Sequence, residues 1–309
     1  MTFSVSILGA GSATPTVQRH ATSQLVSQDA YDCLVDCGEH TQVQLLRYKF
    51  RPSRLKYIFI SHLHGDHYFG LIGLLTSLSL AQRHDDLWLF GPPGLDEIIT
   101  LQLKLSESRL SYLLHFQAIE TELAYRLLDT EHLTVDTIPL RHRIHCSGFL
   151  FREKPHPRRL ITDALPPDLS YEARRQLKLG HDVLDSDGRL LLAIEHTRPG
   201  FPSRSYAFCS DTIYDERLAE RVQGVDLLYH EATFLHELEA RAAQTFHSTA
   251  RQAAQLARQA GVGQLLIGHF SSRYKDLQPL LDEAQAIFPA TSLAMEGATF
   301  DVRSEPIYD

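Results

Sequence analysis

The sequence has no run of about 18 consecutive apolar residues, the length a helix needs to cross a bilayer. Its opening, MTFSVSILGAG, also lacks the basic segment and cleavage site of a signal peptide. Both absences predict a cytoplasmic protein that stays out of membranes. Cysteine is scarce. Cys33, Cys37, Cys146 and Cys209 form no C-x-x-C knuckle and are read as buried, reduced thiols. Positive charge is in deficit, with 30 Lys and Arg against 38 Asp and Glu, for a formal net charge of −8. That balance excludes a surface coated in positive potential, so any nucleic-acid contact must be concentrated in a local patch. The 309 residues, 43% of them hydrophobic, suffice for a full core, read as one catalytic domain with an insertion.

Histidine is plentiful: 17 residues, a number that makes their spacing decisive. Short runs rich in β-formers occur at 4–8, 31–36, 57–60, 87–90, 206–209, 227–229 and 265–267, each ending in polar residues. A helix is predicted at 248–260, where Ala250, Ala253, Ala254, Ala257 and Ala260 recur at helical spacing between Ser248 as N-cap and Gly261 as stop. Strands alternating with helices predict a layered α/β architecture. Gly9-Ala10-Gly11 resembles half of a dinucleotide fingerprint, but no third glycine follows, and a tight turn beside a site is the simpler reading. Residues 152–198 break the pattern. They are Pro-rich and charged, with KPHPRR and LPPD, and have little regular signal beyond 171–179. Within 152–181, seven Lys or Arg against four Asp or Glu give +3 (7 − 4).

Directly after the apolar strand at 57–60 comes Ser61-His62-Leu63-His64-Gly65-Asp66-His67. On a turn at a strand end, three imidazoles and a carboxylate can point at one volume without helical periodicity. A solvated loop explains one histidine easily, and this cluster poorly. Nitrogen and oxygen donors suit zinc, which takes about four ligands and keeps a position open in catalytic sites. Further ligands should then close other strands. His142 follows 133–140, Asp211 follows 206–210, and His269 follows 265–268.

HLHGDH, a later His, SD and GH, each closing a strand, resemble the metallo-β-lactamase superfamily over nearly the whole chain. The resemblance implies a four-layer αββα sandwich spanning 1–309, with a protruding arm inserted at 152–198. Members hydrolyse lactams, thioesters and phosphodiesters, so the fold alone does not choose a substrate. His230-Glu231-Ala232-Thr233-Phe234 and His247-Ser248-Thr249 are similar to the HEAT and HST motifs of the ribonuclease Z family. FGPPG at 90–94, LGAGSATPT at 8–16 and the charged insertion, with its LKLG and DGR, are similar to that family as well. Arg19-His20 stands where the family usually has Arg-Asn, and Pro166-Pro167-Asp168 stands in place of its Gly-Pro pair.

The resemblance implies two zinc ions per chain, one on His62, His64 and His142, the other on Asp66, His67 and His269, with Asp211 bridging. It further implies hydrolysis at the 3′ end of precursor tRNA, and a homodimer in which one subunit's arm reaches RNA at the other's site. The chemistry agrees, because two metals about 4 Å apart can clamp an in-line phosphoryl displacement. Asp66 could then ligate and accept a proton. The leaving 3′ oxygen needs a donor, expected to be His247, oriented by Glu231 and His230; helix capping is the bland reading of His247. Asp36 and His40 are read either as fixing ligand tautomers or as a solvated turn. Arg19 and Arg273 are read as surface ion pairs ahead of phosphate contacts, and His84, His115 and His236 as ordinary residues. A small-molecule hydrolase (phosphodiesterase, lactonase or thioesterase) would leave the HEAT and HST motifs unused. A non-catalytic RNA-binding scaffold would tolerate broken ligands, yet all seven positions are filled.

Overall fold

The computed structural model describes residues 2–14 and 16–303; Pro15 of the opening motif lies outside them. Strands β1 (Phe3–Gly9), β2 (Ser23–Gln28), β3 (Asp32–Val35), β4 (Leu55–Phe59), β5 (Leu87–Gly91) and β6 (Leu114–Ala118) make most of one sheet. A second begins with β7 (Arg126–Asp129), β8 (Leu133–Leu140) and β9 (Cys146–Glu153). Four two-residue strands follow: β10 (Arg159–Leu160), β11 (Val183–Leu184), β12 (Leu190–Leu191) and β13 (Thr197–Arg198). Then β14 (Ser205–Cys209), β15 (Leu227–Glu231), β16 (Gln264–Gly268) and β17 (Thr291–Leu293) complete the second sheet, and β18 (Thr299–Asp301) returns to the first. The orders are β18-β1-β2-β3-β4-β5-β6 and β17-β16-β15-β14-β9-β8-β7.

Aromatic side chains fill the space between the sheets. The Phe59 ring lies 5.3 Å from Phe149 and 5.6 Å from Phe151, and Phe208 stacks on Tyr229 at 5.1 Å. On the outer face of the first sheet, Leu74, Leu75 and Leu78 of helix Leu71–Leu80 pack with Ile58, Ile60 and Leu89. On the outer face of the second, helix Ala250–Ala260 lays Ala253, Ala254 and Ala257 near β15 and β16. Small side chains let that helix approach closely, and the parallel β14, β15 and β16, covered on both faces, read as almost unbroken apolar runs. The result is the expected four-layer α/β sandwich.

The helix expected at 248–260 starts later. Thr249 is its cap, with a reciprocal box to Gln252, while the Ser248 hydroxyl donates instead to the Thr212 carbonyl at 2.8 Å. Arg152–Ser203 forms a second compact unit. It contains a core of its own around Leu165, Leu169, Leu177, Leu191 and Ala193, with helix Tyr171–Lys178 capped by Ser170. That is more regular structure than the sequence signals, because two-residue strands are too short to display a period.

Candidate metal centre

The ends of β3, β4, β8, β14, β15 and β16 bring one chemistry-bearing residue or more each to a common edge: Asp36, the 61–67 turn, His142, Asp211, Glu231 and His269. Asp36 and His269 leave their strands with φ of 56° and 57°. Neither is glycine. A left-handed residue with a Cβ costs about 1–2 kcal/mol, and such strain persists where the surroundings over-determine it.

Two groups of donor atoms result. His62 Nε2 and His142 Nε2 each lie 3.1 Å from His64 Nδ1, and both are 3.7 Å from Asp211 Oδ2. In the other group His67 Nε2 is 3.4 Å from Asp66 Oδ2 and from Asp211 Oδ1, and His269 Nε2 is 3.5 Å and 3.1 Å from the same two atoms. The remote nitrogens of four rings are occupied. Nδ1–H of His62 donates to Ser61 Oγ (3.0 Å), that of His67 to Asp36 Oδ2 (2.7 Å), that of His142 to the Phe246 carbonyl (3.0 Å) and that of His269 to Thr233 Oγ (2.9 Å). Each bond fixes the tautomer that leaves an Nε2 lone pair facing the cluster.

Two of those nitrogens meet no protein partner among the described residues. Nε2 of His67 and of His269 are buried without a hydrogen-bond partner, a loss of about 1–3 kcal/mol for each unless something else fills the space. Convergent imidazole nitrogens and carboxylate oxygens within 4.8 Å of one another fit a divalent metal. Burial holds His62 and His64 neutral, as metal ligation requires, and pushes His142 down to about 4. His67 behaves oppositely. Burial disfavours its charge, but Asp66, Asp211 and Asp36 outweigh that and raise it well above the ordinary range. A metal must therefore displace this proton to reach His67.

His247 stands beside the cluster, its ring 5.3 Å from those of His142 and His269. Its Nδ1–H donates to Glu231 Oε1 at 2.9 Å. Burial opposes the imidazolium, yet the Glu231 carboxylate raises it to about 9. Glu231 is wholly buried and also accepts from Thr212 N–H, Thr233 N–H and the Thr233 hydroxyl. His230 does not reach His247. Adjacent strand residues face opposite sides of a sheet, and His230 Nδ1–H donates to the Glu231 carbonyl instead. Asp36 takes the tautomer-fixing role, whereas His40 stands at the N-cap position of helix Thr41–Arg47, its side chain making no capping bond. Among the described residues Arg19 makes no ion pair; its Nη2 donates to the Ser271 and Tyr274 carbonyls and ties down the loop after His269. Arg273 lies over the Phe234 ring at 5.0 Å, and His115 pairs with Asp86 at 2.7 Å. Sequence reasoning missed Ser61 and Thr233, which relay from carboxylate to imidazole. It also missed the Ala13 N–H, which donates to Asp66 Oδ2 at 2.8 Å.

This fold and this cluster define a metallo-β-lactamase-fold protein with a metal-binding site. The short form of human tRNase Z superposes with a TM-score of 0.69 at 24% identity, covering 97% of this chain and 99% of that one. The metallo-β-lactamase-fold protein YhfI of Bacillus subtilis gives 0.69 at 18% identity, covering 97% and 100%. Ribonuclease Z of Cytophaga hutchinsonii is 51% identical over 303 residues, 98% of this chain and 97% of its own. Ribonuclease Z of Bacteroides thetaiotaomicron is 46% identical over 304 residues, 98% and 96%. The chain belongs to the ribonuclease Z family, and its residues 3–160 belong to the family described as Anti-Pycsar protein Apyc1.

Asp36 orients His67 directly and His62 through Ser61, so Asp36→Asn is expected to weaken metal binding about 10–100-fold. Competition with a chromophoric chelator measures it, and an unchanged affinity would remove Asp36 from control of the ligands.

Proposed function

We propose that the protein is a cytoplasmic endoribonuclease that uses two zinc ions to hydrolyse the phosphodiester at the 3′ trailer of precursor tRNA, leaving a 3′-hydroxyl on the tRNA. The observation that carries this reading is the division of Asp211, whose Oδ2 faces His62 and His142 while Oδ1 faces His67 and His269. One carboxylate turned toward two ligand groups is what a pair of cations sharing a ligand requires. In this reading His62, His64 and His142 hold one ion, Asp66, His67 and His269 the other. When bound, the ions supply Lewis acidity toward the phosphate and a nucleophile at neutral pH.

The protein's own groups handle the protons. Asp66, steadied by the Ala13 N–H, accepts the proton of the attacking water. His247, kept charged by Glu231, gives its proton to the leaving 3′ oxygen. Cations held by the neighbouring residues would lower the pKa of His247 and so make it a stronger acid. The Apyc1 match ends at residue 160 and so includes His62 to His67 and His142 but not Asp211, Glu231, His247 or His269. Of those later residues, Glu231 and His247, in the motifs similar to HEAT and HST, favour RNA over small phosphodiesters. We read the unit at 152–203 as the arm that grips tRNA, supported by +3 over 152–181 in a chain of −8. We also read the chain as a homodimer, for which Leu46, Leu80 and Leu105, exposed on helices of the larger unit, offer apolar surface. Sedimentation of active enzyme as a monomer would refute the dimer.

Mapping the cut on a precursor tRNA tests the function, and cleavage of small diesters with precursor left intact would favour the small-molecule alternative. Elemental analysis should find two zinc ions per chain; one or fewer rejects the shared Asp211. His247→Ala should slow RNA cleavage by about 10²-fold or more, and less for an activated leaving group. Equal losses on both substrates would deny His247 the role of acid. Removing 152–203 should raise KM for precursor tRNA and flatten its salt dependence while a small diester is still hydrolysed. An unchanged salt slope would assign those charges to solvation alone.

A further inference from the structure

Helix Glu239–Thr245 ends at Phe246 in the left-handed conformation, φ 59° and ψ 46°, a position that glycine or asparagine normally fills. The turn has an evident purpose. It aims the Phe246 carbonyl at His142, which donates Nδ1–H to it at 3.0 Å, and it delivers His247 beside the cluster. Neither task needs a side chain, and glycine would perform both without strain. Nor does packing require the ring. It meets His142 edge-on, 6.5 Å between centroids at 88°, and remains 37% exposed. A partly exposed aromatic ring is thus held beside the candidate ligand His142, adjacent in the chain to the candidate acid and bonded through its own carbonyl to that ligand.

We infer that the Phe246 ring is a stacking platform for the base of the nucleotide that carries the leaving 3′ oxygen. The inference rests on His247 as the acid, because the group that protonates that oxygen sits on the leaving nucleotide's side and Phe246 is its immediate neighbour. An unpaired nucleotide at the end of a stem exposes its base, and enzymes that accept any base there bind it by stacking, since every base has a π-face. Phe246 would hold the reacting nucleotide in place without reading its identity.

The test pairs Phe246→Gly, which keeps the backbone turn and the carbonyl, with a precursor tRNA that is abasic at the nucleotide 5′ of the cut. On the intact precursor, kcat/KM of the variant should fall by about tenfold or more. On the abasic precursor, wild type should already be slowed by a similar factor, and the variant should lose little further. Any loss transmitted through His142 is common to both substrates and cancels in this cycle. Phe246→Trp should retain wild-type rates on the intact precursor. Equal losses on both substrates, or no loss on the intact one, overturn the platform. Failure of wild type to cut the intact precursor at all would instead overturn the ribonuclease reading, and the platform with it.

Discussion

Asp36, Asp66, Asp211 and Glu231 bring four carboxylates to the edge where the two sheets meet, almost entirely out of water. An unpaired carboxylate cannot be buried at tolerable cost, so each must find donors or a cation. Asp36 and Glu231 find donors. Asp36 accepts from Ser61 N–H, the Ser61 hydroxyl and His67, and Glu231 from two backbone amides, a hydroxyl and His247. Asp66 and Asp211 instead face the Nε2 atoms of His67 and His269, 3.1 to 3.5 Å away. The charge left over at that point is what a metal answers.

The two satisfied carboxylates are built alike. Asp36 holds one imidazole directly, His67, and a second through a serine hydroxyl, His62; Glu231 holds His247 directly and His269 through a threonine hydroxyl. Each relay therefore joins two functional rings to one buried charge. The first joins a ring from each ligand group, and the second joins the candidate acid to a ligand. A shift at either carboxylate moves two rings together, which keeps the candidate ligand groups and the candidate acid in register.

Much of this was legible in the sequence because strand ends leave a linear trace. An apolar run followed by His or Asp marks a residue delivered to the sheet edge, and that sufficed for the seven ligand candidates. What decided the remainder was three-dimensional. Ser61 and Thr233 sit beside motif residues, but only the fold reveals which carboxylate and which ring each hydroxyl connects. His230 was misread because strand alternation turns it away from its neighbour's face. At the helix start, Ser248 and Thr249 are both competent caps, and the Thr212 carbonyl, 36 residues away in sequence, claims Ser248 and leaves the cap to Thr249. Phe246 carried no local signal of a left-handed turn, since glycine or asparagine normally fills that position.

The order in which the site residues occur along the chain has a consequence for biosynthesis. Synthesis from the amino terminus supplies His62 to His67 first and His142 next, while Asp211, Glu231, His247 and His269 emerge in the final third. The first strand is also completed late, since Ser4 pairs with Asp301 of β18. A growing polypeptide can thus display imidazoles long before it owns the carboxylate that two ligand groups share or the candidate acid beside them. Hydrolytic competence arrives only with the closing strands of the second sheet, so an unfinished chain on the ribosome, surrounded by RNA, is disarmed by its own topology.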